Sequence, residues 1–198
     1  REVPARRLAA ELFSSPSEAE TSQGVLALAR RPTFDEERVL GGTPLVLVAD
    51  AVQNPGNLGG LLRTAEAAGA TGAILTTGCA DPFSWKALRG SMGSAFRLPH
   101  LRGLSIEQAL SVLEKGGVAV LAAAKDGERR YDEADLRGPV ALVVGSEGGG
   151  LPPAVLERAA ARLRVPLAGP VESLNVGVAA ALVLFEAARQ RGFRGAGS

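Results

Sequence analysis

Short, unbroken apolar runs recur along most of this sequence, and helical spacing follows each of them. Leu45–Ala49 contains no polar residue, and neither does Val140–Val144. A strand that is buried on both faces has this kind of run, and both faces of a sheet are covered when helices alternate with parallel strands. The pattern therefore predicts an α/β fold in which a parallel sheet is flanked by helices.

The same alternation predicts the individual elements from Pro44 to Gln190. We expect Ser105 to cap one helix, Gly69 to end another, and Ser173 to lie near the start of the last. Strands are predicted at residues 45–49, 73–75, 118–123, 140–144 and 163–165. Helices are predicted at residues 57–68, 85–94, 105–115, 154–161 and 174–190.

The first forty-one residues have a different pattern. It predicts a helix at 1–12, a polar loop at 14–20, a strand at 24–29 and a linker at 31–42. One helix and one strand cannot form a sheet by themselves. We therefore interpret residues 1–41 as the tail of a domain whose beginning is absent, followed by a main domain at 42–198. The alternative is an N-terminal extension that packs on the main domain.

Composition excludes several classes of site. The chain has one cysteine, Cys79, and one histidine, His100, which excludes a disulfide framework, a multi-cysteine metal site and a His-dependent triad. The 22 basic and 21 acidic residues nearly cancel, so any nucleic-acid site must be a local patch. No apolar run approaches the ~20 residues that span a bilayer. With no signal-peptide pattern at the N-terminus, we expect a soluble, cytoplasmic protein.

The first candidate site follows the first predicted strand, at Asn54–Arg63. An N-cap role at the start of the helix accounts for Asn57. It does not account for Asn54, nor for Arg63 on the second turn of an otherwise apolar helix. A guanidinium at that position can bind a phosphate or a ribose hydroxyl.

Two further segments follow later strands. Three consecutive glycines, Gly148–Gly150, come soon after the strand at 140–144 and indicate a close approach of the backbone to another group. The turn matches neither the dinucleotide-binding nor the P-loop pattern, and a flexible turn with a solvated Glu147 is the alternative. The third segment, residues 164–182, runs from a strand through a Pro/Gly loop into a helix that is apolar almost all round. Such a helix is buried on more than one side, by the core or by a partner subunit.

Together these segments resemble the SpoU/TrmH family of the SPOUT class, which are RNA ribose 2′-O-methyltransferases that use S-adenosylmethionine. The resemblance rests on three ordered motifs that cover about three quarters of the chain, and residues 81–93 also resemble the family's loop after the second strand. The first motif is Asn54-Pro55-x-Asn57-x-Gly59-x-x-x-Arg63-x-Ala65. The second is Val144-Gly145-Ser146-Glu147-Gly148, and the third is Val165-Pro166-Leu167 followed by Ser173-Leu174-Asn175-Val176.

The resemblance implies a deep trefoil knot formed by the C-terminal segment. The knot region would bind S-adenosylmethionine in a bent pose, largely through backbone groups. Carried over by position, the cofactor contacts are Thr76, Gly145, Val165, Leu167 and Leu174. A pocket of small and apolar residues with exposed backbone suits adenine and a thioether.

The resemblance also implies that Arg63 is the catalytic arginine, surrounded by Asn57, Glu147, Ser173 and Asn175. The pKa of a guanidinium lies above ~12, so it cannot readily accept the proton of the ribose hydroxyl. We interpret Arg63 as a group that orients the 2′-oxygen and stabilises its developing charge. Glu147 is either the proton acceptor or an anchor for Arg63, and Asn175 is expected near Glu147.

In the family, a preceding domain related to RNA-binding ribosomal proteins often recognises the substrate. Residues 21–25 resemble its last part, so residues 1–41 are interpreted as the remnant of an RNA-binding domain and a linker. Phe83 and Trp85 are candidates for base stacking, although core packing is preferred for both. The RNA contacts expected in the main domain are Arg63, Lys86, Arg89 and Arg97.

The apolar C-terminal helix, residues 174–190, further predicts a homodimer, and family members pair through this region. The helix at 57–68 is the expected second contributor, and either Val183 or Leu184 is expected to face the partner. No membrane partner and no metal are expected.

Three functions are consistent with the sequence. The favoured one is an enzyme that methylates a ribose 2′-hydroxyl in structured ribosomal or transfer RNA. The second is a non-catalytic RNA-binding or assembly factor that keeps the fold. The third is an α/β enzyme acting on a small phosphorylated metabolite, which leaves the third motif unexplained.

Overall fold

The computed structural model describes residues 4–7, 9, 24–146 and 149–193. These described residues form seven strands: β1 Leu45–Ala49, β2 Gly72–Thr76, β3 His100–Leu104, β4 Ala119–Ala123, β5 Arg129–Arg130, β6 Val140–Val144 and β7 Ala161–Arg164. The helices are α1 Glu36–Val39, α2 Pro55–Ala67, α3 Trp85–Ser91, α4 Ser94–Arg97, α5 Ile106–Lys115, α6 Pro153–Arg158 and α7 Val176–Gln190, with a 3₁₀ turn at Tyr131–Glu133.

The seven strands form one sheet in the order β3-β2-β1-β6-β4-β7-β5, and every pair is parallel. The central pair runs from Leu45 opposite Val140 to Ala49 opposite Val144. Parallel strands place all their carboxyl ends at one edge of the sheet, where open α/β folds bind ligands. The predicted parallel α/β fold is confirmed.

The core lies on both faces of the sheet. On one face, α2 and α7 pack with buried side chains such as Leu58, Leu61 and Leu184. On the other face, α5 and α6 contribute Leu113 and Val155, among others. Coverage of both faces explains why β1 and β6 are apolar at every position.

One predicted helix cap is wrong. Asn54, not Asn57, caps α2: its side-chain oxygen accepts hydrogen bonds from Gly56 N at 2.8 Å and Asn57 N at 3.1 Å. Ser173 lies near the start of α7, as predicted, and Asn175, two residues later, caps that helix by accepting from Gly177 N at 2.9 Å. In each motif several residues can serve as caps, and the sequence does not show which one has the extended backbone that a cap needs.

The helix predicted at 85–94 is two short helices, α3 and α4. Met92 and Gly93 separate them, with φ angles of 49° and 90°. Gly93 adopts this left-handed conformation easily, so the α-helix ends there. Strand β3 was not predicted, because its sequence at the edge of the sheet is not an apolar run.

The chain divides into two units, residues 1–31 and 32–198. In the first unit, the described residues 25–30 form no strand, which contradicts the prediction at 24–29. Val25 is 80% and Leu28 104% exposed, so these apolar side chains lack the burial that stabilises a strand within a sheet. Most of the helix predicted at 1–12 and the loop at 14–20 lie outside the described residues. In the second unit, the predicted linker contains α1, whose Val39 is buried.

Helices α2 and α3 approach each other closely through glycines. A Cβ atom added at Gly59 would overlap the carbonyl oxygen of Ala87 and lie 2.9 Å from Ser91 N. A Cβ at Gly90 would lie 3.1 Å from Gly56 O, whereas a Cβ at Gly60 would meet nothing within 4 Å. The contact therefore requires glycine at position 59 but not at position 60.

Arg191, just after α7, connects the segments that lead into the amino-terminal ends of the two central strands. Its guanidinium donates hydrogen bonds to carbonyl oxygens of Leu136, Thr43, Pro44 and Gly138, at 2.8 to 3.1 Å for the first three. Thr43 and Pro44 precede β1, and Gly138 precedes β6. The C-terminal helix is thus fixed to the chain that enters the two central strands.

Within the part of the chain that the structure describes, no helix is both long enough and apolar enough to cross a membrane.

Candidate active site

A cavity of about 790 Å³ opens at the carboxyl edge of β4, β6 and β7. Four of the five residues predicted to contact a cofactor line it: Gly145, Val165, Leu167 and Leu174. They come from two separate loops, one after β6 and one between β7 and α7. The sequence motifs are therefore brought together in space by the strand order.

The cavity walls combine apolar side chains with backbone. Val144, Leu163 and Val183 line it, together with the Gly145 and Gly150 backbone. This lining suits a ligand with a flat ring system and an alkyl chain, and the volume is typical of small-molecule sites.

Charged residues that were not predicted also line the cavity. Lys125 and Asp126 follow β4 directly, and Glu172 lies in the loop before α7. Arg164 lines it too, but its guanidinium donates to Gly127 O at 2.8 Å and Glu128 O at 3.0 Å. The signal for Lys125 and Asp126 was their place after a buried strand, at the same edge as the motif loops.

Thr76, the fifth predicted cofactor residue, does not line this cavity. Its side chain is buried, donates a hydrogen bond to Asp50 Oδ1 at 2.7 Å and accepts one from Ala51 N at 3.1 Å. Ala51 has a φ of 49°, a conformation uncommon for a residue with a side chain. Thr76 therefore supports the turn that leads from β1 toward Asn54.

The first and third motifs are joined by a hydrogen bond. Asn175 Nδ2 donates to Asn57 Oδ1 at 3.3 Å, across 118 residues of sequence. Asn175 Oδ1 already accepts from Gly177 N, which directs its amide NH₂ toward Asn57. The start of α2 and the start of α7 are thus fixed to each other beside the cavity.

Arg63 lies on α2, one turn after Gly59, and is exposed. Residues four apart are ~40° apart around a helix, so Arg63 flanks the side of α2 that packs against α3. Its guanidinium makes no hydrogen bond or ion pair with another residue of the described chain. The side chain is available to a ligand.

Ser173 is exposed and lines the cavity. Glu147 lies outside the described residues, so the predicted approach of Asn175 to Glu147 stays a prediction.

The four predicted RNA-contacting residues fall into two groups. Arg63, Lys86 and Arg89 are exposed and have no ion pair with the described chain. Arg97 donates to both carboxylate oxygens of Glu66, at 2.7 Å each. These hydrogen bonds hold the pKa of Glu66 below its usual value. Arg97 therefore joins α4 to α2 and is less available to a ligand.

The two candidate aromatic residues also differ. Phe83 is buried, and its ring lies 5.4 Å from that of Phe96 and 5.8 Å from that of His100, centroid to centroid. Trp85 is 41% exposed, so core packing was the wrong expectation for it. As the first residue of a short helix, Trp85 points away from the α2 contact that buries Ala87 and Ser91.

Cys79 and His100 are packing residues, as expected. Burial raises the pKa of the Cys79 thiol, whose Sγ donates to Ala49 O at 3.2 Å. Burial lowers the pKa of His100, and its Nδ1 lies 2.9 Å from the carbonyl of Leu98. Neither side chain lines the cavity.

Replacing Gly145 by alanine is expected to weaken cofactor binding at least about tenfold, because overpacking typically costs ~1–3 kcal/mol. The added Cβ would overlap the carbonyl of Gly150, and Leu151 Cδ2 would lie 3.2 Å away, so the loop would have to move out of its place in the cavity wall. The measurement is calorimetric titration with S-adenosylmethionine.

The matched control is Gly169→Ala, because a Cβ at Gly169 would meet nothing within 4 Å. It should bind the cofactor as the unmodified chain does. Equal affinity of the two variants, with both shown to be folded, would contradict this role for the Gly145 turn.

Comparisons of this chain with known proteins identify one family. A sequence model of the SpoU rRNA Methylase family matches residues 44–185. The chain is 40% identical over 178 residues to the 23S rRNA (guanosine(2553)-2′-O)-methyltransferase RlmP of Bacillus subtilis, covering 90% of this chain and 70% of that protein. It is 39% identical over 150 residues to the 23S rRNA (guanosine-2′-O-)-methyltransferase RlmB of Ralstonia nicotianae, covering 76% of this chain and 60% of that protein.

Solved structures agree. The SpoU methyltransferase AviRb from Streptomyces viridochromogenes, in complex with the cofactor AdoMet, superposes with a TM-score of 0.76 at 31% identity. The match covers 83% of this chain and 64% of that one. The AdoMet-bound rRNA methyltransferase from Sinorhizobium meliloti superposes with a TM-score of 0.74 at 37% identity, covering 81% of this chain and 61% of that one. The chain thus spans less than two thirds of the length of several relatives.

Proposed function

This chain belongs to the SpoU rRNA methylase family, which matches it over residues 44–185, and from this we propose that it transfers a methyl group from S-adenosylmethionine to a ribose 2′-hydroxyl in RNA. One observation carries the proposal. The cavity is lined by the second and third motifs, and the Asn175–Asn57 hydrogen bond ties it to the helix that carries Arg63.

The cavity fits the proposed cofactor in size and chemistry. Its apolar side chains can enclose an adenine ring, and the backbone at Gly145, Val165 and Leu167 offers hydrogen-bonding groups. When bound, S-adenosylmethionine supplies a methyl carbon attached to a positively charged sulfur. Lys125, Asp126 and Glu172 would hold its charged amino-acid end.

Arg63 would act on the RNA ribose. As the new oxygen–carbon bond forms, the bond from that carbon to the sulfur would break and leave a neutral thioether. The 2′-hydroxyl would release its proton to solvent water as negative charge develops on its oxygen. A guanidinium keeps its own proton, so Arg63 stabilises and orients that oxygen and does not act as the base. Asn57 and Asn175 position the start of α2, and we assign Glu147 as the anchor of Arg63.

We further infer that the C-terminal segment forms the family's trefoil knot. The support is that residues 165–167 and 172–174 line the cavity and that the helix after them, α7, packs against α2. The Asn175–Asn57 hydrogen bond fixes the end of this segment to the start of α2.

The proposed substrate is a ribosomal or transfer RNA. Support comes from relatives named as 23S rRNA methyltransferases and from a TrmH/SpoU tRNA modifying enzyme of A. aeolicus, 29% identical. An RNA of either kind is consistent with a cytoplasmic location.

Methyl transfer to RNA tests this function directly. The chain, radiolabelled S-adenosylmethionine and total RNA are incubated, and 2′-O-methylated nucleotides are identified after digestion. We expect label in one ribose-methylated nucleotide. RNA binding and cofactor binding without transfer would instead support the non-catalytic factor.

We also propose a homodimer built on α7. Val178, Leu182 and Phe185 are 50%, 36% and 43% exposed and lie at i, i+4 and i+7, so they form one apolar stripe on the outer face. Val183 and Leu184, one of which was expected to face the partner, are both buried in the core. The exposed stripe therefore includes Leu182 and Phe185, which flank the buried Val183 and Leu184 in the sequence.

Replacing Phe185 by arginine should convert the dimer to a monomer, because a charge would have to be desolvated at an apolar interface. Sedimentation velocity at micromolar concentration measures the change. Phe193→Arg is the control, since Phe193 is 67% exposed but follows the helix. A monomeric unmodified chain with full activity would contradict the proposal.

A further inference from the structure

We propose that the outer face of α3, formed by Trp85, Lys86 and Arg89, with Met92 directly after the helix, binds an unpaired RNA nucleotide next to the one that is methylated. The base of that nucleotide would stack on the Trp85 indole. The inference rests on the proposed function and names the part of the substrate that this chain binds beside its active site.

The α3 outer face is exposed and has an apolar residue at each end. Trp85 and Arg89 lie at i and i+4 and are neighbours on the helix surface. Met92 follows the helix directly and has a left-handed backbone conformation. Trp85 is 41% and Met92 66% exposed, while Ala87 and Ser91 on the opposite side are fully buried. A large exposed aromatic beside a flexible thioether is unusual in a chain whose aromatic content is 4%.

The charge of this face is entirely positive. The helix contains Lys86 and Arg89 and no acidic residue. Neither cation has a hydrogen bond or an ion pair with another described residue. A face with two such cations is complementary to a polyanion.

The α3 outer face is also close to the proposed reaction site. Gly90 packs against the first turn of α2, where its Cβ would lie 3.1 Å from Gly56 O, and Gly59 packs against Ala87. Asn57 and Arg63 are on that same helix, α2. A nucleotide on α3 would therefore neighbour the ribose that Arg63 contacts.

These features favour RNA over a protein partner. Single-stranded RNA is bound by aromatic side chains that stack on bases, together with cations that contact the phosphates. The cores of protein interfaces are depleted in lysine, and here Lys86 adjoins Trp85. A base needs only one exposed ring, whereas a stable protein interface needs ~20 residues a side.

The test uses the intrinsic fluorescence of Trp85, the single tryptophan of the chain. Single-stranded oligoadenylate is titrated into the protein, and its binding is followed in parallel by the anisotropy of a dye on the RNA. We expect the indole emission to be quenched with the same midpoint as the anisotropy change. The same sequence in a perfect duplex should quench much less, because its bases are not available for stacking.

Variants separate stacking from charge. Trp85→Ala should weaken oligoadenylate binding about 5- to 100-fold, and Trp85→Phe should restore most of the affinity. Arg89→Ala should reduce the slope of log affinity against log salt by about 0.7, whereas Trp85→Ala should leave the slope unchanged. Phe193→Ala, an exposed aromatic on another segment, is the control and should bind as the unmodified chain does.

Two results would overturn the proposal. One is binding by anisotropy with unchanged indole emission and unchanged affinity of Trp85→Ala. The other is an indole emission that changes when the protein is diluted but not when RNA is added. That result would show that the α3 outer face contacts another protein molecule. Failure of the proposed function would be a different result. The unmodified chain would then transfer no methyl group to RNA, whether or not RNA quenches the indole emission.

Discussion

Arg63→Ala is expected to lower the rate of methyl transfer at least about 100-fold, the typical effect of removing a preorganised group that stabilises a developing oxyanion. Affinity for S-adenosylmethionine should stay within a few fold, because Arg63 lies on α2 and does not line the cavity. Single-turnover transfer to RNA measures the first quantity and calorimetry the second.

Two variants sharpen this prediction. Arg63→Lys keeps the charge but loses the planar donor arrangement, so it should recover only part of the rate. Arg129→Ala removes another exposed arginine that has no ion pair with the described chain, and it should leave the rate unchanged. Near-normal single-turnover rates in Arg63→Ala would remove this residue from the mechanism.

Gly59→Ala should lower the free energy of unfolding by about 3 kcal/mol, at the upper end of overpacking effects. The new methyl group would overlap the Ala87 carbonyl and lie 2.9 Å from Ser91 N, so α3 would have to move away from α2. For a domain of this size the melting temperature should fall by ~6–12 °C. Thermal and urea unfolding measure the effect.

Gly60→Ala is the matched variant, one residue further along the same helix. Its methyl group would meet nothing within 4 Å, so alanine's better helix propensity should raise stability by ~0.5–1 kcal/mol. Opposite signs at adjacent glycines are the expected result. Destabilisation of similar size in both variants would show that the α2–α3 contact is not as close as described.

The sequence predicted those strands and helices whose pattern of apolar residues is determined by burial. The strands β1 and β6 are buried on both faces, so their composition alone identified them, and the helix α5 was identified from the spacing of its apolar residues and its Ser105 cap. The edge strand β3 carries Arg102 and Gly103 and is half exposed, so no apolar run marked it. Patterns of hydrophobicity report burial, and edge strands are not buried on both faces.

The motifs identified which loops form the site but not how their residues are used. Four of the predicted cofactor residues line one cavity, since parallel strands bring their carboxyl-terminal loops together. Thr76 ends the strand β2 at the same edge, yet its hydroxyl is bound to Asp50. Whether a side chain turns toward a cavity or toward a neighbouring turn depends on backbone angles such as that of Ala51, which no spacing reveals.

The order of the strands has a consequence for the newly synthesised chain. β1 can pair with β2 early, but its other edge waits for β6, about ninety residues later, which is ~5–20 s at typical rates of translation. During that interval an apolar strand edge stays open to pairing with other nascent chains. The hydrogen bonds from Arg191 to the carbonyl groups before β1 form later still, because Arg191 is synthesised after β6. We expect this protein to depend on chaperones during its synthesis more than its final stability would suggest.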